Sequence, residues 1–233
     1  MSKPTFLRVS HQTVVAVLAK MDSALLMRSQ CYFGGGTRIV LELGEYRESK
    51  DIDFLCASRD GYRRLRETVS NESLGALFKK AMPLAREVRT DQYGIRTFLD
   101  SGASKLKFEI VREARIELEG QTIAALPVPC LTRPHAFAEK FLANADRGLD
   151  ASTLSRDMVD LAFMVEGWPS ADAAAGLSIA QTAYGDAVER AVAAVATKMR
   201  EDRAYRNRCI DGLAIADTKT LVAGLEAMVR RKW

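Results

Sequence analysis

Residues 33–54 read FGGGTRIVLELGEYRESKDIDF, and the fold class turns on them. Cys31-Tyr32-Phe33 is a short apolar strand that runs into Gly34, Gly35 and Gly36, after which Thr37 to Leu43 reads as a short helix stopped by Gly44. Arg47-Glu48-Ser49-Lys50 is a polar loop, and Asp51 to Cys56 reads as a second strand. A strand that ends in glycines and turns into a helix exposes backbone N–H groups where no Cβ obstructs a phosphate, and Thr37 adds a hydroxyl donor. The same triple glycine also serves as a simple tight turn, so it does not choose a ligand alone.

Asp51 and Asp53 narrow the choice. On a strand, residues two apart share a face about 6 to 7 Å from one another, which aims both carboxylates at one spot while Ile52 and Phe54 face the core. At an effective dielectric near 20 the two charges repel by about 2 to 3 kcal/mol, a cost that a divalent cation removes. Mg²⁺ takes one or two carboxylates plus substrate phosphates. On a solvent-facing edge, by contrast, the same pair is screened and needs no metal. Lys105-Leu-Lys-Phe-Glu-Ile-Val alternates, with Leu106, Phe108 and Ile110 inward and Lys105, Lys107 and Glu109 on the other face. Glu109 is therefore the candidate third acid, or else one more solvated carboxylate among lysines.

Working outward, Ser10 caps an expected first helix that runs to about Met27, with Val14, Leu18, Met21 and Leu25 along one face. Asp60 to Met82 reads as helical with a break near Ser70, and Pro83 ends it. Strands are expected at Ala85 to Thr90, Ile95 to Leu99 and Lys105 to Val111, followed by a ribbon from Arg115 to Ile123 that turns at Gly120. Beyond Pro127 and Pro129 the character is helical, over about Pro134 to Arg147, Thr153 to Val165, Ala171 to Thr182, Gly185 to Arg203 and Lys219 to Arg231. The expected architecture is α/β (α+β). Residues 1–127 carry a small mixed sheet of about five strands with flanking helices, and residues 128–233 form a helical domain that completes an active-site cleft.

Composition sets the outer limits. The chain has 233 residues, 48% apolar and 27% charged, enough to bury a core. No uncharged apolar run approaches the roughly 18 to 20 residues that cross a bilayer, and the Val14 to Ala19 run ends at Lys20. Cys31, Cys56, Cys130 and Cys209 lack CxxC spacing, so neither a zinc knuckle nor a disulfide framework is implied, and a reducing cytoplasmic setting is expected. With only His11 and His135, a Ser/His/Asp hydrolase is disfavoured. The charge of 34 basic against 30 acidic residues names no partner by itself. Lys198, Arg200, Arg203, Arg206 and Arg208 nevertheless gather in eleven positions around Tyr205, a strip that would suit an RNA backbone or simply a solvated helix face.

Gly35-Gly36-Thr37 followed by Arg47-x-Ser49-x-Asp51-Ile52-Asp53-Phe54 resembles the signature of the nucleotidyltransferase superfamily, and specifically of its AbiEii-type toxin branch. Lys140-x-x-Ala143-x-x-x-Arg147 and Arg156-Asp157-x-x-Asp160-Leu161 are similar to two further helical motifs of that branch, in the same order. Lys140, Asn144 and Arg147 lie along one helical stripe, and Leu154, Met158, Leu161 and Val165 form the core stripe of the next helix with Asp157 and Asp160 at its flank. The resemblance covers about Gly34 to Val165. It implies a Mg²⁺-dependent transfer of a nucleoside monophosphate from an NTP to a hydroxyl acceptor. Asp51, Asp53 and Glu109 would serve the metal; Gly34, Gly35, Gly36, Thr37 and Ser49 would grip the β- and γ-phosphates; Arg47 and Lys140 would neutralise the leaving group; and Glu109, Asp157 or Asp160 would act as base. It further implies an antitoxin partner and a tRNA 3′ end as acceptor. A small-molecule or protein hydroxyl, or a nucleotide-binding module without turnover, remains the alternative.

Overall fold

The computed structural model describes residues 6–230 and divides into two compact units, the stretch up to Leu41 with Ser49–Thr132, and Glu42–Glu48 with the chain from Arg133 onward. In the first unit the strands are β1 (Cys31–Phe33), β2 (Ile52–Cys56), β3 (Leu84–Thr90), β4 (Gly94–Asp100), β5 (Lys105–Arg112), β6 (Gly120–Gln121) and β7 (Cys130–Leu131). They form one mixed sheet in the order β3-β4-β5-β2-β1-β7-β6. Three of the seven are two or three residues long, too short for a period-2 pattern to reveal, so the expected count of about five falls short.

Helices α1 (Val9–Leu18), α2 (Ser23–Arg28), α3 (Gly35–Glu42) and α4 (Arg59–Arg66) accompany this sheet. The core of the unit gathers Val14, Leu18 and Leu26 from the helices with Phe33, Ile52, Phe54, Phe108 and Ile110 from the sheet. The expected single helix from Ser10 to Met27 is two. Met21 leaves the helical path to bridge Phe78, and Asp22 restarts the next helix by accepting from the N–H of Leu25 at 2.8 Å. The helical reading of Asp60 to Met82 holds only as far as α4. Gly75 sits at φ +50°, with the Thr68 carbonyl where a Cβ would project, which a continuous helix cannot accommodate. Gly120 is a close approach rather than a hairpin turn, because a Cβ there would strike the Tyr32 ring. Its strand pairs with β7.

The second unit contains α5 (Arg133–Arg147), α6 (Arg156–Gly167), α7 (Ser170–Tyr184), α8 (Ala187–Glu201), α9 (Arg203–Gly212) and α10 (Thr218–Arg230). Helix α6 is central, packed by α5 and α10, and every residue from Asp157 to Met164 is buried. A helix covered on all sides shows no clean amphipathic stripe, which is why its two acids read as flanking in sequence. The expected helix beyond Gly185 breaks at Asp202, whose carboxylate accepts from the N–H of Tyr205 and begins α9. Arg230 ion-pairs with Glu226 at 3.1 Å, while Arg231, the expected last helical residue, lies outside the described residues.

Candidate active site

Strands β2 and β5 run parallel with Asp53 opposite Glu109, so the alternation that put the two acids outward in sequence also sets them side by side. Their side chains retain 27% and 14% exposure, enough to meet a ligand. Asp51 lies immediately before β2 and is half-buried. The glycine turn abuts this face. Gly34 donates its N–H to the Asp53 carbonyl at 2.9 Å, and Gly35, at φ +65°, stands where a Cβ would come within 2.8 Å of Asp53 Oδ2. Only glycine serves there. Gly36 follows in the first turn of α3, and the Thr37 and Ser49 hydroxyls bond at 2.8 Å, tying the turn to the loop that precedes Asp51. Behind them the Ser49 N–H donates to Nε2 of buried His11 at 3.4 Å.

The acids do not stand alone. Lys107 Nζ donates to Glu109 Oε2 at 2.6 Å and lies 4.0 Å from Asp53 Oδ1, while Arg96 Nε donates to Glu109 Oε1 at 2.6 Å. Burial alone would raise the Glu109 carboxyl; the hydrogen bond and charge of Lys107, joined by Arg96, outweigh it and hold the group below the usual carboxylate range. For Lys107 burial pulls the other way, and the Glu109 hydrogen bond with the charges of Asp53, Glu109 and Asp51 wins, leaving the ammonium above its ordinary value. The repulsion that the acid pair would suffer is thus met by the chain's own cations.

In the second unit Asp157 and Asp160 organise a buried ion network. Lys140 Nζ reaches Asp157 Oδ1 at 2.8 Å and Asp160 Oδ2 at 2.7 Å. Arg47 grips Asp160 with Nε at 2.7 Å and Nη2 at 2.8 Å, and the Tyr46 hydroxyl donates to the same carboxylate at 2.6 Å. Arg147 Nε donates to Asp157 Oδ2 at 2.7 Å. Both acids are buried, as are Lys140 and Arg47, whereas Arg147 keeps 42% exposure. Burial works against ionisation of each acid, yet the charges of Lys140 and Arg147 hold the Asp157 carboxyl well below its ordinary range, and those of Arg47 and Lys140 lower that of Asp160. Lys140 is raised despite burial by Asp157 and Asp160. Tyr46 stacks on Phe163 with ring centroids 3.9 Å apart, which fixes the segment carrying Arg47.

A family model described as "Nucleotidyl transferase AbiEii toxin, Type IV TA system" matches residues 17–219. The chain belongs to this AbiEii nucleotidyl transferase toxin family. Among solved structures it shares its fold with JHP933 from Helicobacter pylori, at TM-score 0.55 and 12% identity over 97% of this chain and 94% of that one. It is also similar, at TM-score 0.38 and 14% identity over 79% of this chain and 94% of the other, to an antigenic nucleotidyltransferase-like protein from Paracoccidioides brasiliensis. No curated protein matches the sequence.

Within the AbiEii chain, the structure brings Gly34, Gly35, Asp53 and Glu109 together, links Thr37 to Ser49, and gathers Arg47, Lys140, Asp157 and Asp160 in one cluster. Arg96 and Lys107 are the site residues that the sequence reading passed over. The signal was available for Arg96: counting back equally along both arms from the Ser101–Ser104 turn sets it opposite Glu109. Among the described residues no three acid, histidine or cysteine side chains are placed to hold a metal together, and both Glu109 oxygens are engaged by cations. Asp51 and Asp53 offer hard oxygen donors beside a glycine that keeps side chains away, a donor set that fits a hard divalent cation sharing substrate phosphates. Of the basic strip, Arg203 and Arg208 are exposed, Lys198 lies over the Tyr205 ring at 4.2 Å, and Arg206 donates to the carbonyls of Met199 and Arg200. The four cysteines are buried free thiols, and no helix among the described residues is long and apolar enough to cross a membrane.

Proposed function

We propose that this AbiEii-family protein transfers a nucleoside monophosphate from an NTP to a hydroxyl at the 3′ end of tRNA, and that a cognate antitoxin opposes it. The observation that supports the chemistry is the close approach of the glycine turn to Asp53, because it puts the start of α3 beside the carboxylate face, where a phosphate would meet backbone N–H groups. Asp51 and Asp53 would hold Mg²⁺, with Glu109 beside them. Bound there, the ion would neutralise triphosphate oxygens and stabilise charge on the departing pyrophosphate. The Gly34 N–H is committed to the Asp53 carbonyl, so the N–H groups of Gly35, Gly36 and Thr37 and the Ser49 hydroxyl would grip the β- and γ-phosphates.

In the transfer, the acceptor hydroxyl oxygen bonds to the α-phosphorus and gives up its proton to solvent water, the bond from that phosphorus to the α–β bridging oxygen breaks, and pyrophosphate carries away the electron pair. Glu109, Asp157 and Asp160 are all held ionised below the ordinary carboxylate range, which makes them weak proton acceptors. Positioning and electrostatics dominate phosphoryl transfer in general, and Glu109, Asp157 and Asp160 are the candidates for a base. Asp157 and Asp160 keep Lys140 and Arg47 charged and fixed. The RNA acceptor is supported by the cations exposed on α9.

Incubation with tRNA, Mg²⁺ and each labelled NTP tests this. Label should enter the 3′ end with the wild type and fall by about a hundredfold or more with Asp51→Ala or Asp53→Ala. Equal incorporation by wild type and Asp53→Ala, or none by wild type with any NTP, would end the reading.

A further inference from the structure

Three carboxylates, Asp51, Asp53 and Glu109, act on one ammonium, that of Lys107. Its Nζ sits 2.6 Å from Glu109 Oε2 and 4.0 Å from Asp53 Oδ1, between acids from two neighbouring strands. The ammonium thus fills the space between the Asp53 and Glu109 carboxylates. We propose that Lys107 is a resident counter-cation of the metal-free protein, and that a divalent metal enters by displacing this ammonium. The proposal rests on the reading that Asp51 and Asp53 hold the metal.

Arg96 and Lys107 differ in how easily they leave. Arg96 is held at both ends, by Glu109 at 2.6 Å and by Asp91 at 3.3 Å, in a cross-strand pair whose register fixes it. Lys107, about as exposed as Arg96, has only Glu109 within hydrogen-bond distance and sits on a flexible four-carbon stem, so it swings into solvent at little steric cost. Charge favours the exchange. Asp51, Asp53, Asp91 and Glu109 against Arg96 and Lys107 leave the cluster at minus two; with Arg96 retained and a divalent ion in place of Lys107 the total is minus one. Without metal, Lys107 spares the cluster the mutual repulsion of three acids, and metal affinity is lowered by the ammonium that must first be evicted.

The test is Mn²⁺ binding to the full chain by electron paramagnetic resonance, in wild type, Lys107→Met, Lys107→Arg, Lys105→Met and Asp53→Asn, with circular dichroism and a thermal melt confirming the fold of each. Lys107→Met should bind Mn²⁺ about tenfold more tightly than wild type, the scale of losing one unit charge within about 4 Å at a hydrated site. Lys107→Arg should stay near wild type. Lys105→Met deletes the same charge two residues away on the same face and should change affinity far less. Unchanged or weaker binding by Lys107→Met, while Asp53→Asn abolishes binding, overturns the exchange and leaves the metal reading standing. Equal tightening by Lys105→Met and Lys107→Met also overturns it, because bulk charge and not occupancy would then be at work. Indifference of binding to Asp53→Asn removes the metal reading and the exchange with it.

Discussion

Asp160 exposes none of its side chain and takes donors from Arg47, Tyr46 and Lys140. Removing it leaves two buried cations short of a counter-charge, and uncompensated buried charge is among the costliest defects a point mutation makes. Asp160→Ala should destabilise the protein by about 3 to 5 kcal/mol, read as a lowered urea midpoint; a loss under about 1 kcal/mol would mean that the network is solvated in solution. Gly35 illustrates the opposite economy of a residue that acts by having no side chain. Gly35→Ala meets both a positive φ and the Asp53 carboxylate, so a cost of about 1 to 3 kcal/mol is expected, with nucleotidyl transfer falling further than stability does. Wild-type transfer by Gly35→Ala would show that the cradle tolerates a methyl group.

Among the elements, α10 and α6 approach unusually closely. Gly224 lies within α10, and a Cβ there would meet the carbonyl oxygen of Ala162 on α6 at 2.2 Å. In an exposed helix Gly→Ala stabilises by up to about 1 kcal/mol. Here the sign inverts, because backbone rather than a flexible side chain occupies the space. Gly224→Ala should lower the melting temperature, by an amount equivalent to about 1 to 3 kcal/mol of overpacking; a raised Tm would refute the close approach. Helices α1 and α2 make the complementary point. Their apolar positions keep a continuous helical period, yet Asp22 and the Met21 bridge to Phe78 divide them. Local capping together with one tertiary pairing outweighs periodicity there.

For the molecule as a whole, the ion networks set a pH window. Asp157, Asp160 and Glu109 have lowered folded-state values, so their contribution is complete above the ordinary carboxylate range near pH 4 and is lost as pH falls through the folded values. Lys140 is raised, so its contribution is complete below the ordinary ammonium value and is lost as pH rises through the folded one. Thermal melts should therefore show a plateau between roughly pH 5 and 10 with a fall on the acid side. Asp157→Asn should flatten that acid limb, and an unchanged limb would assign the acid sensitivity to other groups.

The sequence by itself determined the mixed sheet followed by helices, the face on which Asp53 and Glu109 stand, the glycine turn and the spacing of Lys140, Arg147, Asp157 and Asp160, because alternation, glycine conformational freedom and helical pitch are local properties of the chain. Only the tertiary structure decided that Asp53 and Glu109 are register partners, that Arg96 and Lys107 neutralise them, and that Asp157 and Asp160 lie inside the helical unit with Lys140 and Arg47 as counter-ions. Those facts depend on which strands pair and which helix is central, and residues far apart in the chain, such as Arg47 and Asp160, carry no local mark of the partner that folding gives them.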